Sequence, residues 1–198
     1  MNTDTVYKKR MQQKKSVMDR RIRTADTDQG ILLVNTGPGK GKSSAGFGVV
    51  ARALGHDTEV AVIQFIKGSF STGEEAFFRR QENLHYHVMG DGFSRETQDR
   101  DQDQHSAEIA WQLACDYLQT ETIGLVMLDE LNIVLKRGLL PLDSVLSALR
   151  QRPAMQHVIV TGRNAPAELI EIADTVTEMK PIKHVFAAGI RAQHGMEL

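Results

Sequence analysis

The stretch Ile31-Leu-Leu-Val-Asn-Thr-Gly-Pro-Gly-Lys-Gly-Lys-Ser-Ser44 limits what this chain can fold into more than any other. Ile31 to Val34 is an apolar run with the character of a buried strand. Gly37-Pro38-Gly39-Lys40-Gly41 is a glycine-rich turn. After Lys42, Ser43 and Ser44, the run Ala45 to Leu54 reads as a helix. Strand, glycine loop, Lys-Ser and helix in that order make a phosphate-binding loop. Glycines let backbone N–H groups turn inward around phosphate oxygens, and the helix N-terminus adds partial positive charge. Lys42 adds a full charge, and the Ser43 hydroxyl is a ligand for Mg2+. The usual pattern has glycine where this chain has Thr36, so the loop is one residue tighter than standard. A turn that merely caps a helix is the plainer reading, but it leaves the coincidence of strand, Lys-Ser and helix unexplained.

Leu125-Val-Met-Leu-Asp-Glu130 is the natural companion of such a loop. The strand buries its backbone and the two acids emerge at its C-terminal edge, near Ser43. Asp129 is placed to hold a Mg2+ shell, and Glu130 to complete it or orient a reactant. Alone, an apolar run ending in two acids is common; with Lys42-Ser43 and the spacing of a parallel sheet it becomes informative.

Further strands read at Glu59–Ile66, Leu84–Met89, His157–Thr161 and Thr175–Glu178. The β-branched run of Glu59–Ile66 suits a sheet buried on both faces. Between them, helical patterns run over Ser71–Arg80, Asp99–Thr120, Pro141 to about Arg150, and Pro166–Ala173, with Ile109, Leu113 and Leu118 on the apolar face of the longest. The alternation predicts a three-layer α/β fold with a mostly parallel six-stranded sheet, of the P-loop NTPase (RecA-like) type. Arg163, just past the fifth strand, lies at the ligand edge, where it either reaches phosphate or forms a surface ion pair. His85 and His87 share a strand face, but no further metal ligands accompany them in sequence.

At 198 residues the chain suits one core-bearing domain over 29–198, and its net charge of −1 calls for neither nucleic acid nor a membrane. The charge is uneven: in residues 1–23, Lys8, Lys9, Arg10, Lys14, Lys15, Arg20, Arg21 and Arg23 face only Asp4 and Asp19, in an arm taken as residues 1–28. That basic arm is either solvated and partly disordered or a lid over an anionic ligand. One cysteine, Cys115, permits no disulfide framework, and no signal-peptide core or transmembrane-length run is present. Both fit a cytoplasmic protein.

Loop and acidic strand imply a nucleoside triphosphate with Mg2+, not which bond breaks. Several segments in order narrow this: Thr36–Ser44, Val62-Ile-Gln-Phe-Ile-Lys-Gly68, Gly92-Phe-Ser-Arg-Glu-Thr-Gln98, Val126–Leu131, Val160-Thr-Gly-Arg163 and Lys180-Pro-Ile-Lys-His184. Together they resemble the corrinoid adenosyltransferases that act on cob(I)alamin or cob(I)yrinic acid a,c-diamide. The resemblance spans residues 7–198 and includes the shortened loop. It implies attack of cobalt(I) on the 5′ carbon of ATP with release of triphosphate, in adenosylcobalamin synthesis or salvage. A small kinase or ATPase acting on phosphate is the alternative. The resemblance further implies a corrinoid substrate, a low-potential electron donor such as a reduced flavoprotein, a homodimer, and an N-terminal segment that can cover the site. It carries Phe93 over as an aromatic wedge beneath the corrin. Two residues on, where members carry tryptophan, this chain has Arg95, a planar but charged replacement.

Overall fold

The computed structural model describes residues 3–66, 73–89 and 100–196. Its strands are short; the central ones are apolar at consecutive positions and bury both faces, whereas the edge strands are half-buried or exposed. They are β1 (Leu32–Thr36), β2 (Val60–Gln64), β3 (Leu84–Val88), β4 (Leu125–Asp129), β5 (His157–Thr161) and β6 (Thr175–Glu178). They form one sheet in the order β3-β2-β4-β5-β1-β6, and every pairing is parallel. The expectation of a mostly parallel sheet thus becomes an all-parallel one.

Alternate side chains divide the core into two layers. Val60, Val62, Leu125, Met127 and Ile159 pack with Phe47 and Val50 of α2 (Lys42–Leu54) and Phe78 of α3 (Gly73–Phe78). Ala61, Ile63, Val126, Leu128, Val158 and Val160 face the other way. They pack against α4 (Arg100–Leu118), α5 (Leu131–Lys136), α6 (Leu142–Gln151) and α7 (Ala167–Ile172). Two helical layers on a parallel sheet are what crossover connections produce.

Three local readings change. The buried stripe of α4 is Ala107, Ala110, Ala114 and Leu118, while Ile109 points to solvent. Small residues mark the face because the helix lies close to the sheet. Helix α5 has only six residues, too few to show a period, and follows directly on the acidic strand end. The basic arm forms a helix, α1 (Thr3–Thr24), whose described side chains are exposed throughout. Among the described residues no helix is long and apolar enough to cross a membrane.

Candidate active site

Parallel register gathers the polar residues that terminate apolar strands. Gln64 of β2 pairs with Asp129 of β4, Leu128 of β4 with Val160 of β5, and Asn35 of β1 with Thr161 of β5. Asn35, Thr36, Asp129 and Thr161 are all buried. This edge, outside the carboxyl ends of the strands, is where open α/β sheets bind ligands.

The glycine loop connects β1 to α2 across this edge. Its tightness has a local cause: the loop is laced to the backbone beyond β6. The Gly39 N–H donates to the Met179 carbonyl at 2.7 Å, and the Met179 N–H donates to the Thr36 carbonyl at 2.8 Å. A Cβ on Gly39 would stand 2.7 Å from that Met179 oxygen, so the close approach requires glycine. Pro38, Lys40 and Ser44 are exposed on the loop's outer side, Gly37 and Gly39 are buried, and Ser43 is half-buried. Gly41 turns the chain into α2 at φ +102°. Lys40 and Ser44 also line a groove of about 450 Å3 with Phe77 and Phe78.

Lys42 opens α2 and is only 6% exposed. Its ammonium donates to the Gly39 carbonyl at 2.5 Å, and the Asn35 amide donates to the Lys42 carbonyl at 3.3 Å. Burial lowers the lysine's proton affinity; Glu130 and Asp129 raise it, and Arg163 lowers it. Arg163 is exposed at the mouth, near enough for its charge to act on both Lys42 and Glu130.

The two acids sit in different environments. Asp129 is 3% exposed; its Oδ1 accepts from the Thr161 hydroxyl at 2.6 Å and its Oδ2 from the Gln64 amide at 2.9 Å. Glu130 adopts the left-handed conformation, φ 62°, at the N-cap of α5. Its N–H donates to the Thr161 hydroxyl at 3.0 Å, and its buried Oε2 has no hydrogen-bond partner. Burial pushes its carboxyl pKa up, the Asp129 charge adds to this, and Lys42 and Arg163 oppose it. Gly162, at φ +125°, makes room: a Cβ there would fall 2.9 Å from the Asn132 Cβ and 3.1 Å from Glu130 Oε2.

The structure therefore brings together the loop residues, Lys42, Ser43, Asp129, Glu130 and Arg163. Phe93 and Arg95 lie outside the described residues. Sequence reasoning passed over Gln64, Thr161 and Asn132. Gln64 and Thr161 carried the same signal as Asp129, a polar residue closing an apolar strand. The hard oxygens of Ser43, Asp129 and Glu130, one of them unpartnered, are the donor chemistry Mg2+ prefers. Among the described residues no three His, Cys, Asp or Glu converge as a self-sufficient metal cage.

The model of the family described as ATP:corrinoid adenosyltransferase BtuR/CobO/CobP matches residues 28–198. A protein of Pseudomonas aeruginosa named corrinoid adenosyltransferase is 58% identical over 195 residues, covering 98% of this chain and 96% of its own. One of the same name from Escherichia coli K12 is 40% identical, and corrinoid adenosyltransferase CobA of Salmonella typhimurium is 41% identical. Each covers 98% of this chain and 99% of its own.

Proposed function

This chain belongs to the ATP:corrinoid adenosyltransferase family and adenosylates corrinoids, and we propose that its glycine loop and acidic strand end seat ATP with Mg2+ for displacement at the 5′ carbon. The electron pair of cobalt(I) in the corrinoid forms the Co–C5′ bond. The C5′–O bond breaks and the triphosphate leaves with its electrons. The protein has no phosphoryl group to carry, so its task is to hold a leaving group whose negative charge grows. Backbone N–H groups of Gly37, Lys40, Gly41 and Lys42, the Lys42 ammonium and Arg163 serve that charge directly, whereas Pro38 has no N–H and that of Gly39 is held by Met179. Ser43, Asp129 and Glu130 would hold Mg2+, which when bound neutralises triphosphate oxygens. One observation carries this reading: a buried ammonium at the loop and two acids, one with an unpartnered buried oxygen, converge on the same strand edge. The kinase or ATPase alternative has no comparable support, since the relatives described above bear the transferase name.

The corrinoid side of the site rests on the sequence resemblance, with Phe93 beneath the corrin and Arg95 beside it. The enzyme works in the cytoplasm as a homodimer supplied with electrons by a low-potential donor such as a reduced flavoprotein. Helix α1 is the proposed cover. Its cations suit phosphate, and its exposed Tyr7, Met11, Met18 and Ile22 fall within about 60° of one another around the helix, an apolar stripe suited to packing.

An anaerobic assay tests this. Protein, Mg-ATP and chemically reduced cobalamin are mixed, cobalt(I) absorbance is followed, and the phosphate product is identified. Loss of cobalt(I) with adenosylated corrinoid and triphosphate is expected. Unchanged corrinoid with ADP would refute displacement at carbon.

A further inference from the structure

We propose that Thr161 is the positioning residue of this site: its single hydroxyl orients Asp129 and fixes the backbone of Glu130, while Tyr86 and Gln64 lock the other Asp129 oxygen. The inference rests on the reading of Asp129 and Glu130 as holders of the metal that accompanies ATP.

Thr161 is fully buried at the end of β5, between the loop strand and the acidic strand. Its hydroxyl has one proton to give, and it goes to Asp129 Oδ1 at 2.6 Å, the short distance of a charge-assisted bond. A lone pair of the same oxygen accepts the Glu130 N–H at 3.0 Å. That second bond steadies a residue at φ 62°, a conformation that a glutamate seldom adopts unaided. One oxygen therefore ties the Asp129 carboxylate to the Glu130 backbone.

The far side of Asp129 is held by a relay. The Tyr86 hydroxyl donates to Gln64 Oε1 at 2.9 Å, and Gln64 Nε2 donates to Asp129 Oδ2 at 2.9 Å. The amide cannot profitably turn over, because its oxygen would then face the carboxylate. Burial, and next the Asp129 charge, push the Tyr86 pKa up, so the phenol stays a donor. Asp129 is thus gripped through one lone pair on each oxygen. Each oxygen keeps a further lone pair, and the two bonds fix how the carboxylate presents them. Partners of metal-holding carboxylates act on affinity through this kind of orientation.

The test compares Thr161→Val, which keeps shape and loses the hydroxyl, with Thr161→Ser, which keeps the hydroxyl. Mn2+ binding in the presence of ATP is read by electron paramagnetic resonance, and Mg2+ dependence of adenosyl transfer is measured in parallel. Thr161→Val is expected to weaken Mn2+ binding by about tenfold and to raise the half-saturating Mg2+ concentration alike. Turnover at saturating Mg2+ falls less than the affinity does, and Thr161→Ser stays within about threefold of wild type. Should Thr161→Val fail to fold, Gln64→Leu carries the same test from the other oxygen, with the same direction expected. Wild-type Mn2+ affinity in a folded Thr161→Val or Gln64→Leu protein overturns the inference, as does a Thr161→Ser protein as impaired as Thr161→Val. If wild-type protein binds no Mn2+ with ATP, both the inference and the metal reading beneath it fall. If it binds Mn2+ with ATP yet transfers no adenosyl group, the functional reading alone falls and the Mn2+ comparison still decides the role of Thr161.

Discussion

Replacing Glu130 by Gln is expected to stabilise the protein at neutral pH while crippling it. Glu130 Oε2 is buried without a partner, and burial pushes the carboxyl pKa above its ordinary value, with the Asp129 charge as the second cause. A carboxyl with a raised folded pKa binds its proton more tightly in the folded state than in the unfolded chain, where the value is about 4.3. Its contribution to stability is therefore complete below about pH 4 and is lost as pH rises through the folded pKa. Gln cannot ionise and escapes that loss. An unsatisfied buried polar group costs about 1–3 kcal/mol, and more when charged. Lys42 and Arg163 offset part of this for the carboxylate, and the amide still leaves one atom unpaired. The net gain expected at pH 8 is about 1 kcal/mol, a rise in Tm of roughly 2–4 °C for a chain of this size. Thermal unfolding of nucleotide-free and metal-free protein at pH 8 and pH 4 measures it. Glu130→Gln melting about 2–4 °C above wild type at pH 8, and level with it at pH 4, is the expected pattern. A lower melting point at pH 8, or an equal shift at both pH values, would refute the argument that the folded state pays to keep this acid.

The other predictions concern the loop and the corrinoid side. Lys42→Ala should lower transfer by about 10²–10³-fold or more with the circular dichroism spectrum unchanged, and normal turnover in a folded variant would end the phosphate-clamp role. Gly39→Ala puts a Cβ 2.7 Å from the Met179 carbonyl oxygen, so urea unfolding should show a loss of about 1–3 kcal/mol together with weaker ATP binding. A variant as stable as wild type would show that the loop is not held against the strand β6 exit. Phe93→Ala should impair reaction from cobalt(II) more than from chemically prepared cobalt(I); equal losses would argue against an axial role for that ring.

What the sequence made legible, and what it did not, follows from where the determining forces act. Strands β2, β4 and β5 are apolar runs, β-branched in β2 and β5, whose burial on both faces is a local property, so their positions could be read directly. The place of Asp129 and Glu130 at the sheet edge could be read because they directly follow an apolar strand. The left-handed backbone of Glu130 could not, since it is fixed by a hydroxyl 31 residues later in sequence and by the space that Gly162 leaves. The face of α4 was misjudged because Ile109 looks like a core residue, whereas close helix–sheet approach selects Ala107, Ala110 and Ala114. Most telling are Gln64 and Thr161, which end their strands as plainly as Asp129 does. Their meaning depends on β2 and β5 flanking β4, and that order is set by crossovers no local pattern encodes. Were β5 moved to a sheet edge, the same residues would present the same strands and the same acids, but Asp129 would lose its 2.6 Å partner and Glu130 its backbone tether. The tethering of the two acids is thus a property of strand order, and a neutral strand-end residue should be weighed as a site candidate whenever its neighbour strand ends in an acid.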